Sequence, residues 1–208
     1  LNFEREFQQH VVDYFCQEYD RGRTPHPFLA CNDKIKFDFL LRRAMFFDAD
    51  YIATGHYARI SPNGTRLKLR KWADGKKDQA YVLFTLTQAE LGRLLLHLGD
   101  LPKERIRQLA AEAGLPVADK PDSQEICFIP DGDYRKFLGE RGSPTPGDLV
   151  DSDGKVLGRH PGVQFFTVGQ RRGLGLNGGT AGPMYVVRIQ TDDNLIVLGQ
   201  EDDLYRSH

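Results

Sequence analysis

The sequence predicts a chain of the α/β class whose last third is a smaller, β-rich domain. Three observations lead there. Apolar residues recur at helical spacing in the opening segment. A short apolar run (49–54) ends in Gly55-His56 between helical stretches. After about residue 132 the helical periodicity gives way to short β-like runs punctuated by Pro and Gly. At 208 residues and 40% apolar content, the chain is long enough for one large cored domain or two small ones. The expected division is 1–132 and 133–208.

In the first helix, Phe3, Phe7, Val11 and Phe15 form the stripe, which stops at Asp20-Arg21-Gly22. Thr24-Pro25-His26-Pro27-Phe28 predicts an extended turn, because two prolines oppose a regular helix. Asn32 or Asp33 is expected to cap a second helix with Ile35, Phe39, Leu40, Ala44 and Phe47 on one face. Ala49 to Thr54 reads as a buried strand, and Gly55-His56 has the form expected at the carboxyl end of a parallel sheet, where α/β folds bind ligands. The alternative for that pair is an ordinary turn glycine with a surface histidine. Tyr57–Ile60 and Arg66–Lys71 flank Asn63-Gly64, a hairpin signal. Helical patterns follow over about 79–86, 88–97, and from Pro102 to Gly114. The β-like runs of the last third are 148–150, 155–157, 165–168, 184–189 and 195–198.

Composition narrows the function classes. The net charge of −1, from 28 Lys+Arg and 29 Asp+Glu, neither requires nor excludes a nucleic acid. No run approaches the roughly 18 apolar residues of a membrane span, and no basic-then-apolar leader opens the chain. The three cysteines are odd in number and scattered, which predicts a reducing, cytoplasmic setting rather than a disulfide framework. The first residue is Leu inside a helical pattern, so a piece of a longer protein is expected.

Cys16 lies near an apolar stripe and reads as a packed residue. Cys31 follows the proline turn and precedes the expected helix start, where unpaired N–H groups favour a thiolate; it reads as a reactive thiol or a structural one. Cys127, between a polar run and Phe128-Ile129, is open in the same way. Closely spaced ligand pairs are missing, so Cys31, Cys127, His26 and His56 do not read as a zinc site. Between Arg66 and Lys77 stand Arg66, Lys68, Arg70, Lys71, Lys76 and Lys77 against Asp74 alone, with Trp72 between them. That pattern suits phosphate contact and base stacking, or a solvated hairpin edge kept from aggregating. Gly169 to Gly175, with Arg171 and Arg172, is a second basic loop.

Taken in order, these segments resemble the tRNA-specific 2-thiouridylases, some of which carry an older label as tRNA methyltransferases. Thr24-Pro25-His26-Pro27 with Cys31-Asn32 and Ile35-Lys36-Phe37 is similar to the family's first cysteine motif. Ala49 to Arg59 is similar to its second motif, and Lys77-Asp78-Gln79-x-Tyr81 to its third. Lys120-x-Asp122-Ser123-Gln124-x-Ile126-Cys127-Phe128-Ile129 resembles its second cysteine motif, and Phe166 to Gly175 the signature of its central domain. The likeness is collinear from about 3 to 205. It implies a Rossmann-like nucleotide hydrolase domain of the PP-loop type, N-terminally incomplete because no Ser-Gly-Gly-x-Asp-Ser loop is present, followed by a small β-rich central domain.

The resemblance further implies ATP, with Mg2+, and sulfur transfer to C2 of the wobble uridine (U34) in tRNAs for Lys, Glu and Gln. The sulfur comes from a cysteine desulfurase or a sulfur-relay protein. Cys127 would carry the persulfide and Cys31 would be the partner nucleophile. Gly55 would approach the nucleotide, His56 and Lys77-Asp78-Gln79 the tRNA, and His26, Pro27 and Phe28 the target base. The chain departs from the family's Pro-Asn-Pro-Asp run, having His26 for the Asn and Phe28 for the Asp; Phe28 can stack on a base and cannot shuttle a proton. The alternative is a non-catalytic module of the same ancestry that binds tRNA or a sulfur-relay partner.

Overall fold

The computed structural model describes residues 1–75, 77–120, 126–176 and 182–205. The opening stripe winds into α1 (Glu4–Phe7), a π-helical segment (Gln8–Val12) and α2 (Asp13–Asp20). Val11 and Phe15 are fully buried. The helix ends as the sequence leads one to expect: Gly22 takes φ +69, its N–H bonds to the Tyr19 carbonyl, and the Arg23 N–H bonds to Glu18.

The second helix begins earlier than its sequence suggests. It runs through α3 (Pro27–Ala30), a π-helical segment (Cys31–Leu40) and α4 (Leu41–Phe46). Pro27 opens it, since proline at the first helical position gives up no needed N–H and brings a preset φ; neither Asn32 nor Asp33 is its cap. The inward residues are Phe37 and Leu41, whereas Phe47, expected on the buried face, is exposed. Bonding from i to i+5 widens the turn and rotates the inward face away from the 3.6-residue pattern.

The chain divides into two units: Leu1–Val11 with Pro27–Ile126, and Val12–His26 with Cys127–His208. In the first, β1 (Ile52–Ala53) pairs in parallel with a later strand, β2 (Ala58–Asn63) and β3 (Arg66–Lys71) form the expected hairpin about Gly64 at φ +61, and a 3-10 turn spans Ala80–Leu83. The helix expected over 88–97 is one turn, α5 (Gln88–Leu91), opened by a Thr87–Glu90 capping box, and then β4 (Leu94–Leu95), the parallel partner of β1. A short leucine run fits a buried strand as well as a helix, and the pairing decides it. Helix α6 (Lys103–Glu112) ends at Gly114, φ +66. Phe37, Leu41, Ile52, Ala58, Val82, Leu83 and Leu94 make the core.

In the second unit α7 (Tyr134–Arg141) is capped by Asp133, which accepts from the Lys136 N–H at 3.0 Å. Strands β5 (Gly147–Val150), β6 (Val156–His160), β7 (Tyr185–Gln190) and β8 (Leu195–Gly199) form one sheet in the order β6-β5-β8-β7, with only β5·β8 parallel. The strand expected at 165–168 is instead a buried 3-10 turn, Val163–Phe165, after which the Gln170 carboxamide accepts from the Thr167 N–H. Phe15 packs edge-on against Phe128 and Phe137, and Tyr19 stacks on Tyr134, so residues 12–26 belong to this unit. Among the described residues no helix is long and apolar enough to cross a membrane.

Leu149 on β5 is 0% exposed and Val156 on β6 is 56% exposed. Leu149→Ala should therefore cost about 2–5 kcal/mol of unfolding free energy, read by urea denaturation, while Val156→Ala should stay within about 0.5 kcal/mol of wild type.

Candidate functional site

Asn32 organises the site in the first unit. Its side chain is 1% exposed, in the π-helical segment directly after Cys31. The amide nitrogen donates to the Val82 carbonyl at 3.3 Å, which leaves Oδ1 as an acceptor. That oxygen takes the Lys36 ammonium at 2.8 Å and faces His56 Nε2 at 3.2 Å. Nε2 must then carry the imidazole proton, and Nδ1 accepts the Thr54 hydroxyl at 2.8 Å. Burial, aided by the nearby Lys36 charge, pushes the His56 pKa down to about 4, so the ring is neutral at neutral pH.

This placement differs from a surface histidine offered to a ligand. His56 is 5% exposed, both ring nitrogens are engaged, and Phe37 lies 5.9 Å from it, centroid to centroid. In this arrangement the His56 ring fixes Asn32 and with it the turn bearing Cys31. The Cys31 thiol is half-buried. It sits in the second turn of its helix, not ahead of the first, so the four unpaired N–H positions precede it.

Phe28, 48% exposed, stands on the first turn beside Pro27 and carries the Lys36 ammonium 5.3 Å from its ring centroid. His26 is exposed. Gly55 is also exposed, its φ lies outside the left-handed region, and a Cβ there would meet only Leu98 at an ordinary 3.6 Å. Nothing in the fold demands a glycine at 55. Its missing side chain leaves open space at the carboxyl end of β1, which fits the close approach of a nucleotide.

The loop 77–79 is held firmly. Gln79 Oε1 accepts the Tyr57 N–H and the Gln79 N–H donates to the Tyr57 carbonyl, both at 2.9 Å. Asp78 Oδ1 accepts the N–H groups of Trp72 (2.8 Å) and Ala80 (3.3 Å). Asp78 and Gln79 thus hold the loop in place, and Lys77 is exposed. Trp72, read as a stacking platform for a base, is 3% exposed, lies against Tyr57 at 4.4 Å and donates Nε1–H to the Leu101 carbonyl. Burial removes its face from any ligand. Lys76 and the Asp122-Ser123-Gln124 part of the second cysteine motif lie outside the described residues.

Cys127 belongs to the second unit, on a turn, and is exposed. Cys16, in the same unit, is half-buried, and burial pushes its thiol pKa up, away from reactivity. Among the described residues no group of three or more His, Cys, Asp or Glu side chains could hold a metal ion. The Asn32–Lys36 pair was missed as a site feature by sequence reasoning. Its only signal is the i,i+4 spacing of Asn32 and Lys36 on one helix, which does not say that the asparagine turns inward.

A parallel β1·β4 pair leading into the open Gly55, with helices in the same unit, and a separate mixed sheet define an α/β unit and a small β unit. Residues 1–131 match the family described as the tRNA methyl transferase HUP domain, and residues 135–200 that described as the tRNA methyl transferase PRC-barrel domain. The chain belongs to this family, with a Rossmann-like HUP domain followed by a small barrel-like domain.

Its relatives carry a more specific name. The tRNA-specific 2-thiouridylase MnmA of Carboxydothermus hydrogenoformans is 51% identical over 99% of this chain and 57% of its own length. The protein of the same name from Lachnoclostridium phytofermentans is 49% identical (99% and 58%), and that from Herpetosiphon aurantiacus 47% identical (99% and 58%). The chain thus spans a little under three fifths of the curated relatives it matches.

The His56 burial has a titration consequence. The unfolded chain takes up this proton near pH 6.5 and the folded one only near 4. Stability contributed by the neutral ring is therefore complete above about 6.5 and falls as the pH drops towards 4, by up to about 1.4 kcal/mol per pH unit. His56→Gln, which keeps an N–H for Asn32 and cannot titrate, should flatten this part of the stability curve. Equal slopes for the two proteins would refute the buried neutral ring.

Proposed function

We propose that the protein containing this chain is an ATP-dependent tRNA 2-thiouridylase that transfers persulfide sulfur to C2 of the wobble uridine, U34, of tRNA. The observation that carries this reading is a half-buried thiol, Cys31, fixed by its neighbour Asn32 to His56, next to the open Gly55, in a chain about half identical to proteins of that name.

ATP, with Mg2+, supplies the activation that turns the C2 oxygen of the base into a leaving group. Gly55 and the carboxyl end of β1 would receive the nucleotide. The remaining work falls to this chain's own side chains. Cys127, exposed, accepts sulfur from a cysteine desulfurase or a relay protein and holds it as a persulfide. Its terminal sulfur attacks C2, and the activated oxygen leaves with the electron pair of the broken C–O bond. The Cys31 thiolate then attacks Sγ of Cys127; the Sγ–S bond breaks and its electrons stay with the sulfur on C2, which becomes the thiocarbonyl. The two cysteines are left as a disulfide, and a cellular dithiol reduces it by exchange.

The base itself must leave its stack to be reached. Phe28, with nearly half of its surface exposed, offers a flat face for it, and His26 and Pro27 are the other residues of that run assigned to the target base. Since Phe28 cannot move a proton, His26 is the titratable side chain left in that run. Lys77 meets the tRNA backbone, held there by the Asp78 and Gln79 hydrogen bonds. His56 serves tRNA binding indirectly, by positioning Asn32 and Cys31. The substrates on this reading are the tRNAs for Lys, Glu and Gln.

The test is single-turnover thiolation of a wobble-uridine tRNA by the full-length protein with ATP and a persulfide donor. Cys127→Ser should abolish product while leaving the tRNA dissociation constant within about twofold, and Cys31→Ser should cut product by at least two orders of magnitude. Undiminished product from Cys127→Ser would remove its persulfide role, and tRNA binding without product from wild type would favour the non-catalytic module. In the same assay Gly55→Val should raise the KM for ATP about tenfold or more, since its methyls would fill the open space.

A further inference from the structure

The β2–β3 hairpin presents two chemically opposite faces, fixed by its register. Ala58↔Lys71, Ile60↔Leu69 and Pro62↔Leu67 share one face, on which Ile60 and Leu69 pack against the core of the first unit. The other face carries Arg59↔Arg70, Ser61↔Lys68 and Asn63↔Arg66. Four cations and two neutral polar groups stand on it, without one apolar side chain.

Arg59 is partly neutralised by Asp100 at 3.4 Å, and its Nε donates to the Lys71 carbonyl. Arg70 is steadied across the strands by its Nε–H bond to the Ser61 hydroxyl, at 2.5 Å. Arg66 and Lys68 are exposed and have no ion-pair partner among the described residues. This concentration stands out in a chain whose overall charge is −1.

Protection of a sheet edge does not account for these cations. The edge of β3 is already occupied at Leu67: its N–H donates to Gln88 Oε1 at 2.7 Å, and Gln88 Nε2 donates back to the Leu67 carbonyl at 3.0 Å. A strand that cannot be extended there has less need of lysine as a guard. The charges also lie on the face, not along the edge.

We propose that this face, with Arg66, Lys68 and Arg70 as its row of contacts, is a binding surface for the RNA backbone. This deepens the tRNA reading above and rests on it. Side chains two apart on a strand stand about 6.8 Å from one another, a step that successive phosphates of one RNA strand can follow. The lack of any apolar anchor on the face separates it from a protein docking surface, whose energy comes from buried aromatic and aliphatic groups. Backbone recognition needs only fixed cations and is independent of base sequence. Such a surface would hold the body of a tRNA without choosing among tRNAs.

The experiment compares full-length wild type with the triple variant Arg66→Gln, Lys68→Gln, Arg70→Gln, measuring tRNA affinity across a salt series. A control triple, Arg42→Gln, Lys136→Gln, Arg159→Gln, removes the same charge at positions paired to carboxylates elsewhere. The hairpin variant should bind about tenfold more weakly near 0.15 M salt, with the log affinity against log salt slope shallower by about 2. The control should match wild type, and the single-turnover rate at saturating tRNA should hold in both.

An unchanged salt slope in the hairpin variant overturns the proposal. So does equal loss in the control, which would mean general charge, and so does a loss confined to sulfur loading by a donor protein, which would make the face a protein surface. Wild type that binds tRNA without thiolating it defeats the activity reading and leaves this one standing. Unchanged tRNA binding in the hairpin variant of a thiolating enzyme does the reverse.

Discussion

One buried carboxamide sets the geometry of the candidate site. Asn32 has three polar neighbours on three different segments or turns: the Val82 carbonyl, the Lys36 ammonium and the His56 ring. A buried amide left without these partners would cost about 1–3 kcal/mol for each unsatisfied group, so the three segments are held to one arrangement. Cys31 is the residue before it and Gly55 the residue before His56. The thiol and the open end of the parallel pair are thereby fixed relative to each other through a single bond between side chains. The neutrality of His56 is part of this, since a charged ring beside the Lys36 ammonium would be repelled from the position it holds.

A second set of hydrogen bonds performs the same service for the 77–79 loop. Asp78 and Gln79 spend their acceptors on Trp72, Ala80 and Tyr57, and Trp72 in turn is stacked on Tyr57 and anchored to Leu101. The loop reads as a set of polar contacts to a ligand, yet most of its polarity is consumed by the fold. What it presents outward is charge, in Lys77, next to a hairpin whose outer face is also cationic. The division of labour is consistent: buried polar groups position the loop, and the groups left exposed are cationic.

The two thiols illustrate how context separates residues of one type. Cys16 sits where burial raises its pKa, which makes it a packing residue. Cys31 is half-buried and held by its neighbour's network, and Cys127 is on an exposed turn of the other unit. On the function proposed above, the exposed turn lets a donor protein reach Cys127, and Cys31 needs position more than access.

The sequence by itself determined the elements whose signals are local: the Gly22 and Gly114 helix ends, the hairpin about Gly64, the run at β1 ending in Gly55-His56, and most strands of the last third. These depend on backbone preferences and period, which a short window contains. It also pointed to Cys31, Cys127 and Gly55 as chemically interesting. Tertiary structure alone decided the rest. Leu94-Leu95 became a strand because Ile52-Ala53 lay beside it, and the 27–46 helix turned Phe37 and Leu41 inward because part of it is π-wound. Trp72 and His56 lie buried because partners distant in sequence, Leu101 and Asn32, are there to satisfy them. A polar or aromatic side chain has the same letter whether it faces water or a partner, and only the three-dimensional neighbourhood tells which.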